Sequence, residues 1–386
     1  MLLKGLHLGN EPSPVDLLIR GMHLEAIYPA GAAPVLEEPS FDLHGCIAWP
    51  GLINAHDHLE FNCYPPLRSQ PYQNYLDWSA DLHQSFPDVI RRVEAIPKAA
   101  RINYGILKNL LNGITTVIDH SEAPASSTLL HIKDNFRYLH SLRRHKGWKT
   151  KLLSPSKQGQ SFMVHLHEGY GPAVESDLRR LRRWNIHKHL VIGVHGISLD
   201  PAEASYLQGL IWCPGSNDFL YGKSAPVDEL WGQIPLLMGT DSTLSGPWQL
   251  AEHIAAARRH STLRDGQLLD LLYEGPARLF PQLNQRNTIR AAQIADLVIY
   301  RPEEGSYTLS PLDARPRQVA MVLCAGKPAL LDTSLACQLP NDWKEYYFQL
   351  SIEGQERHIS RELGPLLARE LSPIADLLPF SISQVD

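Results

Sequence analysis

The feature that most constrains this chain is a series of short apolar runs, each stopping at a side chain able to bind a metal. Ile47-Ala48-Trp49-Pro50-Gly51-Leu52-Ile53 leads into His56-Asp57-His58, and Phe162-Met163-Val164 ends at His165. Leu190-Val191-Ile192-Gly193-Val194 ends at His195, and Leu236-Leu237-Met238 runs through Gly239-Thr240 to Asp241. Apolar runs this short, bounded by turn residues, predict buried parallel strands, whose C-terminal ends form the active face of an α/β barrel. Side chains at i and i+2 of a strand share a face, so His56 and His58 can reach one ion. Histidines with one carboxylate make an N/O donor set suited to Zn²⁺, Fe²⁺ or Mn²⁺. Glu168, three residues past His165, is placed to project over such an ion and move a proton between water and substrate.

Taken in order, His56-x-His58, His165-x-x-Glu168, His195 and Gly239-Thr240-Asp241-Ser242 resemble the amidohydrolase superfamily, in particular its cytosine deaminase, guanine deaminase and triazine hydrolase-like branch. Pro50-Gly51-Leu52-Ile53-Asn54-Ala55-His56 is similar to that family's first barrel strand, Gly113-Ile114-Thr115-Thr116-Val117 to its second, and Cys213-Pro214-Gly215-Ser216-Asn217 to its seventh. The resemblance spans residues 1–335. It implies that His56, His58, His165 and Asp241 hold one divalent ion, zinc with iron as the alternative. It also implies that His195 hydrogen-bonds the attacking water or the tetrahedral centre, that Glu168 shuttles protons, and that Asp241 helps to deprotonate the water. The expected reaction is hydrolytic deamination of an amino-substituted heterocycle (a purine, pterin, pyrimidine or similar ring), with no cofactor beyond the metal. Opening of a cyclic amide, as in imidazolonepropionase-like relatives, is the alternative, and a metal- or ligand-binding scaffold without turnover is a third reading. Family habit suggests a homodimer.

The 386 residues suffice for one barrel of about 250 residues and a smaller unit. The expected architecture is a distorted (β/α)8 TIM-type barrel over 49–289. A small β-sandwich is expected from 1–48 and 290–340, and an amphipathic helical tail from 341–386. Only 45 residues separate the strand ends at His120 and His165, about 15 per βα interval where barrel units run nearer 30. The third and fourth units are therefore expected to be abbreviated, with missing or very short helices around 135–160. None of Lys149, Lys151 and Lys157 ends a clear apolar strand, which favours a single ion over a lysine-bridged pair.

The segment from Leu59 to Pro97 follows the first strand and must cross the barrel mouth. Its aromatic residues, Trp78 among them, suit a flat ring, and Glu60 and Asn62 are its polar candidates for substrate contact. His120 and Asn217, each just past a strand, are further candidates, while His167 is expected to point away from the ion. His44, His83, His131 and His140 belong to no pattern. The net charge of −5 argues against a nucleic-acid partner. Five scattered cysteines without a C-x-x-C pair fit reduced thiols. No signal-like apolar core and no run of 18 apolar residues occurs, so a cytoplasmic protein that does not span a membrane is expected.

Overall fold

The computed structural model describes the chain except residues 36, 122–126, 134–135, 156–159, 305, 307 and 386. Its centre is built from parallel strands: β1 (Leu52–Asp57), β2 (Ile114–Asp119), β3 (His131–Lys133), β4 (Arg137–Leu139), β5 (Phe162–Leu166), β6 (Val191–His195), β7 (Gly209–Trp212) and β8 (Leu236–Met238). β1, β2 and β3 form one parallel sheet, and β4 to β8 form a second in sequential order. An isolated parallel bridge between Asp57 and Asp241 links the end of β1 to the residues after β8.

Both faces of β1, β2 and β5 to β8 are buried, so these strands read as largely apolar runs rather than alternations. Ile53, Ile118, Met163, Ile192, Ile211 and Leu237 form one core shared by the strands of both sheets. Alternate residues such as Leu52, Val117, Val164, Leu210 and Met238 turn outward into a larger core with the helices. The compressed stretch is built as its length demands. β3 and β4 are separated by three residues, too few for a helix, and the helix Trp148–Leu153 before β5 has six. Lys157 lies outside the described residues.

The two chain ends pair with each other. Ile47–Pro50 lies antiparallel to Leu297–Tyr300, joining strands from both ends into an eleven-stranded sheet. Leu3, Leu6, Leu17, Phe41, Ile299 and Leu323 form a core on it. The tail corrects the expectation of a helix: Tyr347–Ile352 and Gln355–Ser360 form a hairpin on this sheet, and Ile382–Gln384 adds a further strand. The reason is local. Leu350 and Ile352 alternate with less buried neighbours at period two, and Glu353-Gly354, both at positive φ (50° and 73°), make the two-residue turn that closes a hairpin. The only tail helix longer than four residues among the described residues, Gly364–Glu370, has seven. No helix among the described residues is long and apolar enough to cross a membrane.

Helix α1 (Lys98–Leu111) connects β1 to β2, helix α2 (Pro214–Tyr221) follows β7, and helix α3 (Leu250–His260) follows β8. His253 on α3 is fully buried against Gly215, where a Cβ would come within 2.4 Å of its ring nitrogen. Burial, then the Lys108 charge, lowers its pKa to about 4, against an ordinary 6.5. A neutral histidine in the fold that protonates when unfolded contributes stability above pH 6.5, and loses it as pH falls toward 4, at about 1.4 kcal/mol per pH unit. His253→Gln is therefore expected to narrow the stability gap to the wild type by about 3 kcal/mol between pH 7 and pH 4. Urea melts across that range check this, and parallel curves for the two proteins would contradict it.

Candidate metal centre and its cavity

The strand ends bring their polar residues together. His56 Nε2 lies 3.2 Å from His165 Nε2, and Asp241 Oδ1 is 3.7 Å from His56 Nε2 and 3.6 Å from His58 Nε2. Two overlapping sets, His56/His165/His195 and His56/His58/Asp241, each present one donor atom per residue, all within 4.8 Å of one another, and all five residues are buried. Burial pushes the pKa of His56 and His165 well below the usual range, keeping the rings neutral as metal ligands must be. For Asp241, burial opposes ionisation, but the facing His195, His58 and His165 and the Ser245 hydroxyl outweigh it and hold the carboxyl at about 2. Ser216 and Ser245 donate to Oδ2 at 2.8 and 2.7 Å, leaving Oδ1 toward the histidines. His56 Nδ1 and His195 Nε2 are buried without a protein partner. Orphaned nitrogens of this kind cost about 1–3 kcal/mol each unless a ligand or water meets them. Neutral imidazoles, one ionised carboxylate and unpartnered nitrogens fit a divalent zinc- or iron-type ion.

Glu168 stands over this cluster. Its Oε2 is 3.5 Å from His165 Nδ1 and 3.7 Å from His195 Nε2, and its Oε1 accepts a 2.8 Å hydrogen bond from the Tyr221 hydroxyl on α2. Asn217, also on α2, donates from Nδ2 to the His195 carbonyl at 3.3 Å, which fixes its amide so that Oδ1 faces His195 Nδ1 at 3.0 Å. Nδ1 therefore carries the proton in the neutral ring, and Nε2 turns a lone pair toward the cluster. His195 and Asp241 both sit at positive φ (73° and 57°), which breaks the strand alternation and aims them inward. Such non-glycine geometry costs about 1–3 kcal/mol and persists only where surroundings over-determine it. For Asp241 the constraint is visible, since the Thr240 and Asp241 amides both donate to the His56 carbonyl at 3.1 and 2.9 Å.

Gly239 makes that approach feasible. A Cβ there would lie 2.6 Å from His56 Cβ. Gly239→Ala is expected to displace His56 and weaken zinc binding at least tenfold, by analogy with the effect of disturbing the supports of metal ligands. Competition with a chromophoric chelator measures this, and unchanged affinity would contradict it.

Behind the donor cluster lies a buried polar network. Asp57, between His56 and His58, points away from them and accepts from Lys108 Nζ (2.8 Å), Asn54 Nδ2 (2.9 Å), Asn109 Nδ2 (2.8 Å) and Asn62 Nδ2 (2.8 Å). A register irregularity between Asn54 and Asp57 lets these two, three residues apart, face the same side. Lys108 and Asp57 are 1 % and 0 % exposed. Removing one partner of such a pair strands a buried charge at about 3–5 kcal/mol.

The centre opens on a cavity of about 280 Å³ walled by Phe61, Tyr64, Tyr75 and Trp78, with His58, His165, Glu168 and Asp241 at its base. His140, His83 and Arg144 add polar groups to the wall.

No family model and no curated protein sequence matches the chain. Solved structures do match it in shape. A zinc-bound adenosine deaminase from Xanthomonas campestris superposes with a TM-score of 0.65 at 17 % identity, covering 86 % of this chain and 93 % of that one. A mutant atrazine chlorohydrolase from Arthrobacter aurescens, complexed with zinc and atraton, gives 0.63 at 17 % identity over 86 % and 95 %. A 5-methylcytosine deaminase from Klebsiella pneumoniae liganded with 5-fluorocytosine gives 0.56 at 17 % over 86 % and 97 %. The chain shares the fold of these three proteins.

Within this fold, His56, His58, His165, His195, Asp241 and Glu168 meet at one place. The five candidates for substrate contact fare differently. Trp78 lines the cavity. Glu60 does not; it pairs with Lys98 at 3.1 Å. Asn62 is fully buried, its amide committed to Asp57, the His58 and Leu59 carbonyls and the Thr243 amide, so it braces the loop. Asn217 is committed to His195, as described. His120 packs on His165 and His56 (centroids 4.6 and 5.0 Å), with both ring nitrogens buried and unpartnered. His167, at positive φ, turns from the cluster toward the Ser198 hydroxyl at 3.4 Å. The sequence reading missed Tyr221, Ser245, Lys108 and His140. His140, just past β4, has its ring 4.8 Å from His165 and forms a third donor set with His58 and His165. Its signal is the one that marked His165, a histidine ending a strand, but that strand has only three residues.

Proposed function

We propose that this chain is a metal-dependent hydrolase of C–N bonds that removes the amino group from a flat, amino-substituted heterocycle. The observation that carries the reading is the placement of Glu168, held by Tyr221 and facing His165 and His195, between the donor cluster and an aromatic-walled cavity. His56, His58, His165 and Asp241 would hold a single divalent ion, zinc before iron, which would supply water that ionises near neutral pH. Asp241, ionised and oriented by two serine hydroxyls, accepts that water's proton. Of the water's two protons, Glu168 carries one to the ring nitrogen, and the one held by Asp241 goes to the departing amine, which cannot leave as an anion. His195, its tautomer set by Asn217, accepts a hydrogen bond from the attacking water through Nε2. Phe61, Tyr64, Tyr75 and Trp78 stack on the ring and exclude bulk water. The same reading takes the eight parallel strands as a distorted barrel over 49–289, set between the two halves of the chain-end sheet.

The reading is supported by the fold shared with an adenosine deaminase, a 5-methylcytosine deaminase and an atrazine chlorohydrolase. Ammonia release by zinc-loaded protein across aminated purines, pterins, pyrimidines and triazines tests it, with Asp241→Asn as control. Release that disappears in the control is expected. Ring opening of a cyclic amide without ammonia would replace deamination by the alternative chemistry, and no turnover on either panel would leave a binding scaffold.

A further inference from the structure

Helix α1 buries Ile106, Leu107, Leu110 and Leu111, yet Lys108 in the middle of that run is equally buried. An apolar side chain would fill the space without the cost of desolvating an ammonium. What the ammonium touches is informative: Nζ donates to Asp57 Oδ2 at 2.8 Å and to Thr240 Oγ1 at 3.0 Å. Asp57 is the residue between His56 and His58, and Thr240 immediately precedes Asp241. Asn54 closes the ring, donating from Nδ2 to Asp57 (2.9 Å) and Thr240 Oγ1 (2.7 Å) and accepting from the Thr240 amide at 3.0 Å. The two strand ends carrying these residues have few other links between them: the ladder from β1 to β8 is reduced to the Asp57–Asp241 bridge and the amides bonded to the His56 carbonyl, and the direct bond from the Thr240 hydroxyl to Asp57 Oδ2 is long at 3.4 Å. The His58 amide, bonded to the Asp241 carbonyl at 3.2 Å, crosses the same seam.

We propose that Lys108 is a positioning residue of the metal centre, which cross-links Asp57 and Thr240 so that His56 and His58 on one strand end stay at ligand distance from Asp241 on the other. The inference rests on the metal-centre reading above. It acts through the backbone, since Lys108 touches no ligand side chain. It calls for a group with more than one donor at this position, because one proton goes to a carboxylate and another to a hydroxyl on different segments, and the ammonium also balances the Asp57 charge. An apolar replacement keeps the volume and loses the link.

The test compares wild type, Lys108→Met and the neutral pair Lys108→Met/Asp57→Asn, in full-length protein. Zinc affinity is read by chelator competition and ligand geometry by the visible absorption of cobalt-loaded protein. A positioning role predicts a zinc Kd weakened by about 10–100-fold in Lys108→Met, with an altered cobalt spectrum. The neutral pair, which strands no charge, recovers thermal stability while zinc affinity stays weak. It also carries the test if the single variant does not fold. A merely structural role predicts the opposite: stability falls and returns, while zinc Kd and cobalt spectrum match wild type throughout. That result would overturn the proposal. Wild-type protein that binds no zinc would overturn the metal-centre reading, and this inference with it, whereas tight wild-type binding matched by both variants would remove this inference alone.

Discussion

Glu168→Gln is expected to lower kcat by roughly 10²–10⁴-fold while leaving zinc content at the wild-type level, the usual range for loss of a positioned acid–base group. The substitution keeps the side chain's volume and its hydrogen bond from Tyr221 at 2.8 Å, and removes only the ability to carry a proton. Because Glu168 stands 3.5 Å from His165 and 3.7 Å from His195, an isosteric amide leaves the donor cluster in place. The variant therefore separates proton transfer from metal binding. Measuring ammonia formation in a single turnover beside metal content checks the split. Turnover within a factor of a few of wild type would remove Glu168 from the chemistry.

The second large effect is on stability. Zinc binding only to the folded chain stabilises it by RT ln(1 + [L]/Kd), about 4 kcal/mol at a thousandfold excess over Kd. His56 is the residue to replace, because it belongs to two of the three donor sets and is fully buried. His56→Ala is expected to abolish the zinc-dependent gain, so that its urea midpoint is the same with zinc and with chelator, while the wild type shifts. An equal shift in the two proteins would place the stabilising ion elsewhere.

What could be read from the sequence was whatever local chemistry writes locally. His165 and Asp241 each close a short apolar run, so one segment reveals both the strand and the donor at its end. Glu168 stands out for the same reason, three residues past the strand-end His165. Lys108 is not, because its meaning lies in Asp57 and Thr240, 51 and 132 residues away, and a lone lysine in a helix ordinarily faces water. Asn62 looked like a loop residue free to meet a ligand, and only the fold shows its amide committed four ways. His140 was hidden by the brevity of its strand, which leaves too few residues for a period to appear. In the tail, aromatic and charged residues suggested a helix, whereas the alternation ending at Ile352 and the positive-φ pair Glu353-Gly354 decided for a hairpin. The short elements described between His120 and His165 were legible from arithmetic alone, since chain length bounds what can be built between two strand ends.

The measurement that bears most directly on the account is anomalous X-ray scattering at the zinc edge from crystals of zinc-loaded protein. The account predicts one strong peak per chain, bounded by His56, His58, His165 and Asp241, with Glu168 beside it. A peak on other residues, or none from protein shown to bind zinc in solution, would contradict it.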